Sequence, residues 1–258
     1  MAEANDTPKP VLTPPPEFIR YTCGHENYEE YQRSGQEVFT MLDLAARRYG
    51  GKGICRFERV LDFACGSGRI MQYVPDGPKL YGCDISRPLV SFARGLCTHA
   101  TVYNNDFNPP LDFRDGLFDL VYAFSVFSHL AEDIETQWLH ELRRVGAAGC
   151  LYLLTVHGDW VIEATLGAER SQAEAAGFYF QYVSTRDGSE LDFPIGYEAS
   201  YHTSDYIRRT WSRLFEVRAI IKGDNPCNYL WHDVHFAPDG EIERFRPMGQ
   251  DLVVLRKR

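Results

Sequence analysis

At 258 residues the chain is long enough to bury one large α/β core or two small ones. Hydrophobic residues make up 44% and aromatics 14%, which excludes a disordered chain. The formal charge of -9 argues against a nucleic-acid platform, because phosphate contacts need clustered lysine and arginine, and leaves a small-molecule partner as the better fit.

Residues 1–16, MAEANDTPKPVLTPPP, are proline-rich and short of core formers, and read as a disordered tail, with folding starting near Glu17. From Asn27 to Tyr49 the positions Tyr31, Val38, Met41, Leu42, Leu44 and Ala45 form a helical stripe, ended by Gly50, Gly51 and Gly53. A strand is predicted at 59–63, then a glycine turn and a helix over 68–73. KLYGCDIS (79–86) reads as a second strand, Arg87 to Leu96 as a second helix and ATVYNND (100–106) as a third strand. LFDLVYAFS (117–125) is a near-continuous apolar run, as expected for a central parallel strand covered on both faces. Helix 132–145 and strand 150–158 follow. After Gly158 the pattern becomes mixed through residue 200. Thr203 and Ser204 then cap a helix over 205–215, followed by strands at 216–223 and 251–257. Strand and helix alternating through short links predict an α/β fold built on a parallel, doubly wound sheet.

Ligands of such sheets bind beyond the carboxyl ends of the strands. There lies VLDFACGSGRI (60–70), whose turn Ala64-Cys65-Gly66-Ser67-Gly68 lets backbone amides approach an anionic group. A dinucleotide fingerprint requires a third small residue, but the run from Gly66 is GSGRIM, with Met71 in that place. A nicotinamide-dependent oxidoreductase is therefore disfavoured. Asp84, with Ile85 and Ser86 after it, ends the second strand where an acid accepts both hydroxyls of a ribose. Asp106 ends the third, where an adenine edge would be held. Asp62, Asp84 and Asp106 make three successive acid-bearing strands.

In these features the chain resembles the class I S-adenosylmethionine-dependent methyltransferases over roughly residues 27–258, in their small-molecule branch. VLDFACGSGRI is similar to their first motif and YGCDIS to the acid that follows it. NDFNPPLDFRDGLFDLVYAFSVFSHL and LHELRRVGAAGCLYLLTVHG resemble their later motifs, as do GFYF (177–180) and the closing QDLVVLRKR. Two departures stand out: Ala64 occupies a usual glycine position, and Ala148-Gly149 replaces a proline-glycine turn. The resemblance implies a Rossmann-like seven-stranded sheet, mostly parallel, with an antiparallel last strand at 251–257. It implies S-adenosylmethionine as cofactor and S-adenosylhomocysteine as product, with no metal. The methionine carboxylate would lie against Gly66 to Gly68, and Tyr31 would cover that end. Asp84 would hold the ribose, Asp106 and Phe107 the adenine, and Phe124 and Ser125 would flank the sulfonium.

Methyl transfer to an alcohol or phenol benefits from a general base, and histidine suits neutral pH. His129 (SVFSHL), His157 (LLTVHG) and His202 (ASYHTSDY) are the candidates. His232 and His235 share a strand-like spacing, but Asp233 would face the other way, and Cys23 with His25 lacks a second pair, so no metal site is assigned. Aromatic residues crowd 159–200 and 224–248, including Trp160, Phe178, Tyr179 and Trp231. These segments are expected to be cap insertions on a single domain spanning 17–258. The expected reaction is methylation of a small organic acceptor such as a sugar, a phenolic or another natural-product intermediate, at oxygen more than nitrogen. An N-methyltransferase of a small amine and a catalytically degenerate partner subunit remain the alternatives, and a homodimer is possible. The seven cysteines form no CxxC pair, and no apolar run reaches membrane-span length. With no basic-then-apolar leader, the expected location is cytoplasmic.

Overall fold

The computed structural model describes residues 12–184, 197–223, 235–236, 242–244 and 249–258. Its centre is a seven-stranded sheet in the order β3-β2-β1-β4-β5-β11-β8. Strands β1 (Arg59–Phe63), β2 (Lys79–Asp84), β3 (Ala100–Asn104), β4 (Phe118–Ala123) and β5 (Gly146–Val156) run parallel. β11 (Asp251–Arg256) inserts antiparallel between β5 and β8 (Glu216–Ile221), with Asp251 opposite Val156. The sheet is the Rossmann-like one that the motifs implied.

Each face of the sheet is covered because the central strands are apolar on both sides. Leu120, Val121, Tyr122 and Ala123 are all fully buried. On one face α2 (Tyr28–Gly50) presents Val38, Met41, Leu42 and Ala45, at helical spacing, to Val60, Tyr122, Leu153 and Val254. Helix α3 (Arg87–Leu96) joins that layer. On the other face Trp138 and Leu142 of α4 (Glu132–Val145) pack with Phe63, Val121, Leu154 and Val253. Each fully buried aliphatic side chain contributes roughly 1.5–3 kcal/mol. Helix starts obey local chemistry: the Asn27, Ser86 and Thr203 side chains accept from the amides of Glu30, Leu89 and Tyr206.

The chain runs outward from β1 to β3, then returns to lay β4 beside β1. That reversal opens a crevice at the carboxyl ends of β1 and β4, where such sheets take their ligands.

Several local expectations are corrected. An eight-residue helix, α1 (Pro16–Cys23), precedes α2 and carries too short an apolar pattern to stand out in the sequence. Over 68–73 there is no α-helix, only turns and a 3-10 segment at Met71–Tyr73. Pro75 follows two residues later and has no amide to continue a helix, so too few residues remain to nucleate one. β3 ends at Asn104, leaving Asp106 beyond it, and β5 begins at Gly146 rather than 150. The helix expected over 205–215 divides into α7 (Ser204–Thr210) and a 3-10 turn at Trp211–Arg213.

The mixed region resolves into α5 (Asp159–Thr165), α6 (Arg170–Ala176) and an antiparallel pair, β6 (Phe178–Ser184) with β7 (Tyr197–His202). Val161, Ile162, Leu166, Ala199 and Tyr201 form their own small core. A short pair, β9 (His235–Phe236) with β10 (Ile242–Arg244), lies within 224–248; His232, Asp233, the side chain of His235 and most of that segment lie outside the described residues. Among the described residues, no helix is long and apolar enough to cross a membrane.

Candidate active site at the carboxyl edge of the sheet

The turn after β1 is built from left-handed backbone. Ala64, Gly66 and Gly68 have φ of 59°, 54° and 82°. The two glycines serve different ends. A Cβ on Gly68 would stand 2.8 Å from Cys97 Sγ, so that position is closed by packing. A Cβ on Gly66 would meet nothing within 4 Å, so its Cα faces the open crevice. Ala64 carries a methyl in a conformation that L-residues avoid.

Asp84 locks this turn to β2. One carboxylate oxygen accepts from the Gly66 amide at 2.8 Å, and the other from Ser86 at 2.9 Å. Burial pushes its carboxyl up to about 6, opposed by the backbone donors of Ser86, Gly66 and Ile85. Each oxygen retains capacity for a further donor such as a ribose hydroxyl. Asp62 lies deeper, paired in register with Tyr122 of β4, and its Oδ2 has no hydrogen-bond partner. Burial drives its carboxyl up to about 8; Tyr122 beside it lowers the value, neighbouring Asp84 raises it and Arg69 lowers it again.

Helix α2 roofs the turn. Tyr31 is fully buried, and its hydroxyl lies 2.7 Å from Ser67 Oγ. The helix comes this close because Gly35 has no side chain: a Cβ there would stand 2.4 Å from the Arg69 carbonyl oxygen. Arg69 itself was not among the residues picked out from sequence. Its side chain is buried, donates to Ser34 Oγ at 3.0 Å and lies 5.5 Å from the Phe124 ring centre. Its Nε has no partner, and among the described residues no carboxylate pairs with it. A buried guanidinium without a counter-ion is costly, and an anionic ligand group beside the turn would relieve it. The sequence signal was its place directly after the glycines; what it lacked was any sign of burial.

Asp106 and Phe107 lie on the rim past β3, both exposed, with the Phe107 carbonyl held by Trp138 Nε1 at 3.2 Å. At the end of β4, Phe124 is buried and Ser125 adopts φ 61°. Ser125 is held in place by two bonds: its amide donates to Thr155 Oγ1 at 2.7 Å, and Gln250 Nε2 donates to its hydroxyl at 2.7 Å. The only left-handed non-glycine residues among those described are Ala64 and Ser125. Both sit at this edge, where such strain tends to collect.

The three histidines divide by environment. His129 Nδ1 is 2.7 Å from the Glu198 carbonyl oxygen, which only accepts, so Nδ1 carries a hydrogen, and in the neutral ring the lone pair is on Nε2. The His157 ring centre is 5.8 Å from that of His129 and 5.5 Å from that of Tyr201. Burial, then the His129 and His202 rings, drive His157 down to about 3, so it is neutral and weakly basic. His202 is wholly buried and its Nε2 lies 2.5 Å from Glu135 Oε2. Glu135 also accepts from Trp211 Nε1 at 2.8 Å, so His202 is turned into the α4 layer, away from the crevice. Sequence position alone put all three on one edge; packing separates His202 from the other two.

The crevice therefore offers an open glycine cradle, a buried cation with no carboxylate paired to it and a strand-end carboxylate, which fit the carboxylate and ribose of S-adenosylmethionine. Among the described residues no group of three histidine, cysteine or acidic side chains is arranged for a metal ion.

Comparison with known proteins agrees. Residues 60–149 match the methyltransferase domain family. The fold is similar to a protein of Pyrococcus horikoshii OT3, at 18% identity and TM-score 0.55 over 86% of this chain and 90% of that one. It is similar to an S-adenosylmethionine-dependent methyltransferase from Methanosarcina mazei, at 15% identity and TM-score 0.52 over 78% of this chain and 93% of that one. A third likeness is to the complex between the Haloferax volcanii Trm112 methyltransferase activator and the putative methyltransferase, at 18% identity and TM-score 0.52 over 95% and 99%. At these identities the structural likenesses speak to fold. The family match spans residues 60–149, from β1 into β5, and the sheet around it has the fold of these structures.

Proposed function

We propose that this chain is a class I S-adenosylmethionine-dependent methyltransferase that methylates a small organic acceptor at oxygen, with His129 as general base. The observation that carries the choice is the His129 Nδ1 to Glu198 carbonyl contact at 2.7 Å, which leaves the proton-accepting lone pair on Nε2. In this reading the turn 64–68, with Cys65, Ser67 and Arg69, holds the methionine carboxylate under Tyr31. Asp84, Ile85 and Ser86 hold the ribose, Asp106 and Phe107 the adenine, and Phe124 and Ser125 border the methyl. S-adenosylmethionine supplies an electrophilic methyl on a sulfonium that leaves as a neutral thioether, so the protein has no growing anion to stabilise there.

The contribution of the residues is therefore position and dryness. In this reading one domain spans 17–258, and the described part of the insertion after β5, from α5 to β7, forms the cap beside His129 and His157. As the acceptor oxygen bonds to the methyl carbon, its proton passes to His129 Nε2. His157, held neutral, orients the acceptor and does not take the proton. His202 supports the wall from behind.

Calorimetry with S-adenosylhomocysteine tests the donor half: binding should be measurable, and Asp84→Ala should weaken it more than tenfold. Once a hydroxyl acceptor is found by radiolabelled methyl transfer, His129→Ala should lower kcat by roughly 10²–10⁴ while S-adenosylhomocysteine affinity holds. Full activity in that variant would refute the assignment of the base.

A further inference from the structure

Gln250, the residue before β11, is 6% exposed, yet only one end of its amide is used. Nε2 donates to Ser125 Oγ at 2.7 Å, and Oε1 is buried without a donor. The ladder ends with Asp251 opposite Val156, and Gln250 and His157 are the next residue beyond that pair on each strand. Alternation along the strands points both side chains to the same face: Leu252 and Val254 share a core with Leu151 and Leu153. His157 Nδ1 is also buried without a partner. Buried polar atoms are nearly always paired, and two orphans on neighbouring strands call for an explanation. They lie at the edge where Ser125 ends β4, beside the place assigned to the transferred methyl.

An amide oxygen only accepts, while a neutral imidazole nitrogen either donates or accepts. A hydroxyl suits both at once. An anionic substituent could accept from the imidazole but would set its charge against the buried amide oxygen, so it does not suit the pair. We propose that Gln250 determines acceptor specificity: its Oε1 and His157 Nδ1 together bind a second hydroxyl adjacent to the one methylated, so the acceptor is a neutral vicinal diol. The inference rests on the reading of this edge as the acceptor side of a methyl-donor site.

The full-length protein is first saturated with S-adenosylhomocysteine, then titrated calorimetrically with catechol against phenol, and with methyl α-glucopyranoside against its 2-deoxy analogue. The aromatic and sugar arms separate the two sources of a diol, and salicylate serves as the anionic probe. At least one diol should bind ten times more tightly than its monohydroxy or deoxy counterpart, because a site built around a hydroxyl rejects the analogue lacking it. Gln250→Leu should abolish that gap, and Gln250→Glu, which keeps an accepting oxygen in the same place and guards against a folding artefact, should retain it. Equal affinity for diol and counterpart, no diol binding, preference for salicylate, or an undiminished gap in Gln250→Leu would each overturn the proposal. Failure to bind S-adenosylhomocysteine would instead refute the underlying reading of the site.

Discussion

Ala64 stands at φ 59° in a turn that otherwise uses glycine at its left-handed positions, and it is only partly buried. An L-residue in that conformation costs about 1–2 kcal/mol relative to glycine. Replacing alanine by glycine also loosens the unfolded chain, which returns about 0.4–1 kcal/mol of that gain. Ala64→Gly should therefore stabilise the apo protein by about 0.5–1 kcal/mol, raising Tm by roughly 1–4 °C for a chain of this size. Differential scanning calorimetry with and without S-adenosylhomocysteine is the assay. Affinity for S-adenosylhomocysteine should hold within about twofold, since the amides of the turn keep their directions. Ser125→Gly is the internal contrast: it relieves the same strain at φ 61° but removes the hydroxyl held by Gln250, worth about 1 kcal/mol, so no net gain is expected. A lower Tm for Ala64→Gly would refute the reasoning. It would mean that the methyl's packing outweighs its backbone strain.

Gly66→Ala and Gly68→Ala should separate binding from stability. The first meets open crevice and should chiefly weaken S-adenosylhomocysteine binding, whereas the second drives a Cβ to 2.8 Å from Cys97 Sγ and should chiefly lower Tm. Equal effects of the two on both readouts would remove the distinction drawn between them. Asp62, raised to about 8 by burial, contributes stability that is complete below its unfolded value near 4 and is lost as pH rises through 8. Between pH 5 and 7 the apo protein should lose about 1.4 kcal/mol per pH unit from this group. Urea unfolding of Asp62→Asn should show a slope flatter by that amount, and an unchanged slope would show Asp62 already ionised in the fold.

Alternation of strand and helix announced the sheet because each element must bury its own apolar side, and that requirement is written locally. The glycine turn and Asp84 were equally legible: a left-handed turn demands small residues, and an acid at a strand end has one edge to face. The short stretch after Gly68 misled, because its apolar residues fit a helix that Pro75 leaves no room to form. Asp106 was read as closing β3, but the ladder stops at Asn104 and leaves it exposed.

Arg69 and Gln250 escaped notice for another reason. An arginine or a glutamine counts as a surface residue until something covers it, and what covers Arg69 is α2, brought close by Gly35, more than thirty positions earlier. The histidines tell the same story. Each sits after a strand at the same edge, so composition and spacing rank them alike. Glu135 from α4 claims His202, Glu198 from β7 fixes the proton of His129, and burial keeps His157 neutral. By itself the sequence determined the sheet, the glycine turn and the acid beside it, because local periodicity and turn sterics are carried by neighbouring residues. Only the tertiary structure decided which polar side chains are buried, paired or left with an unpartnered atom, because their surroundings come from segments far away in the chain.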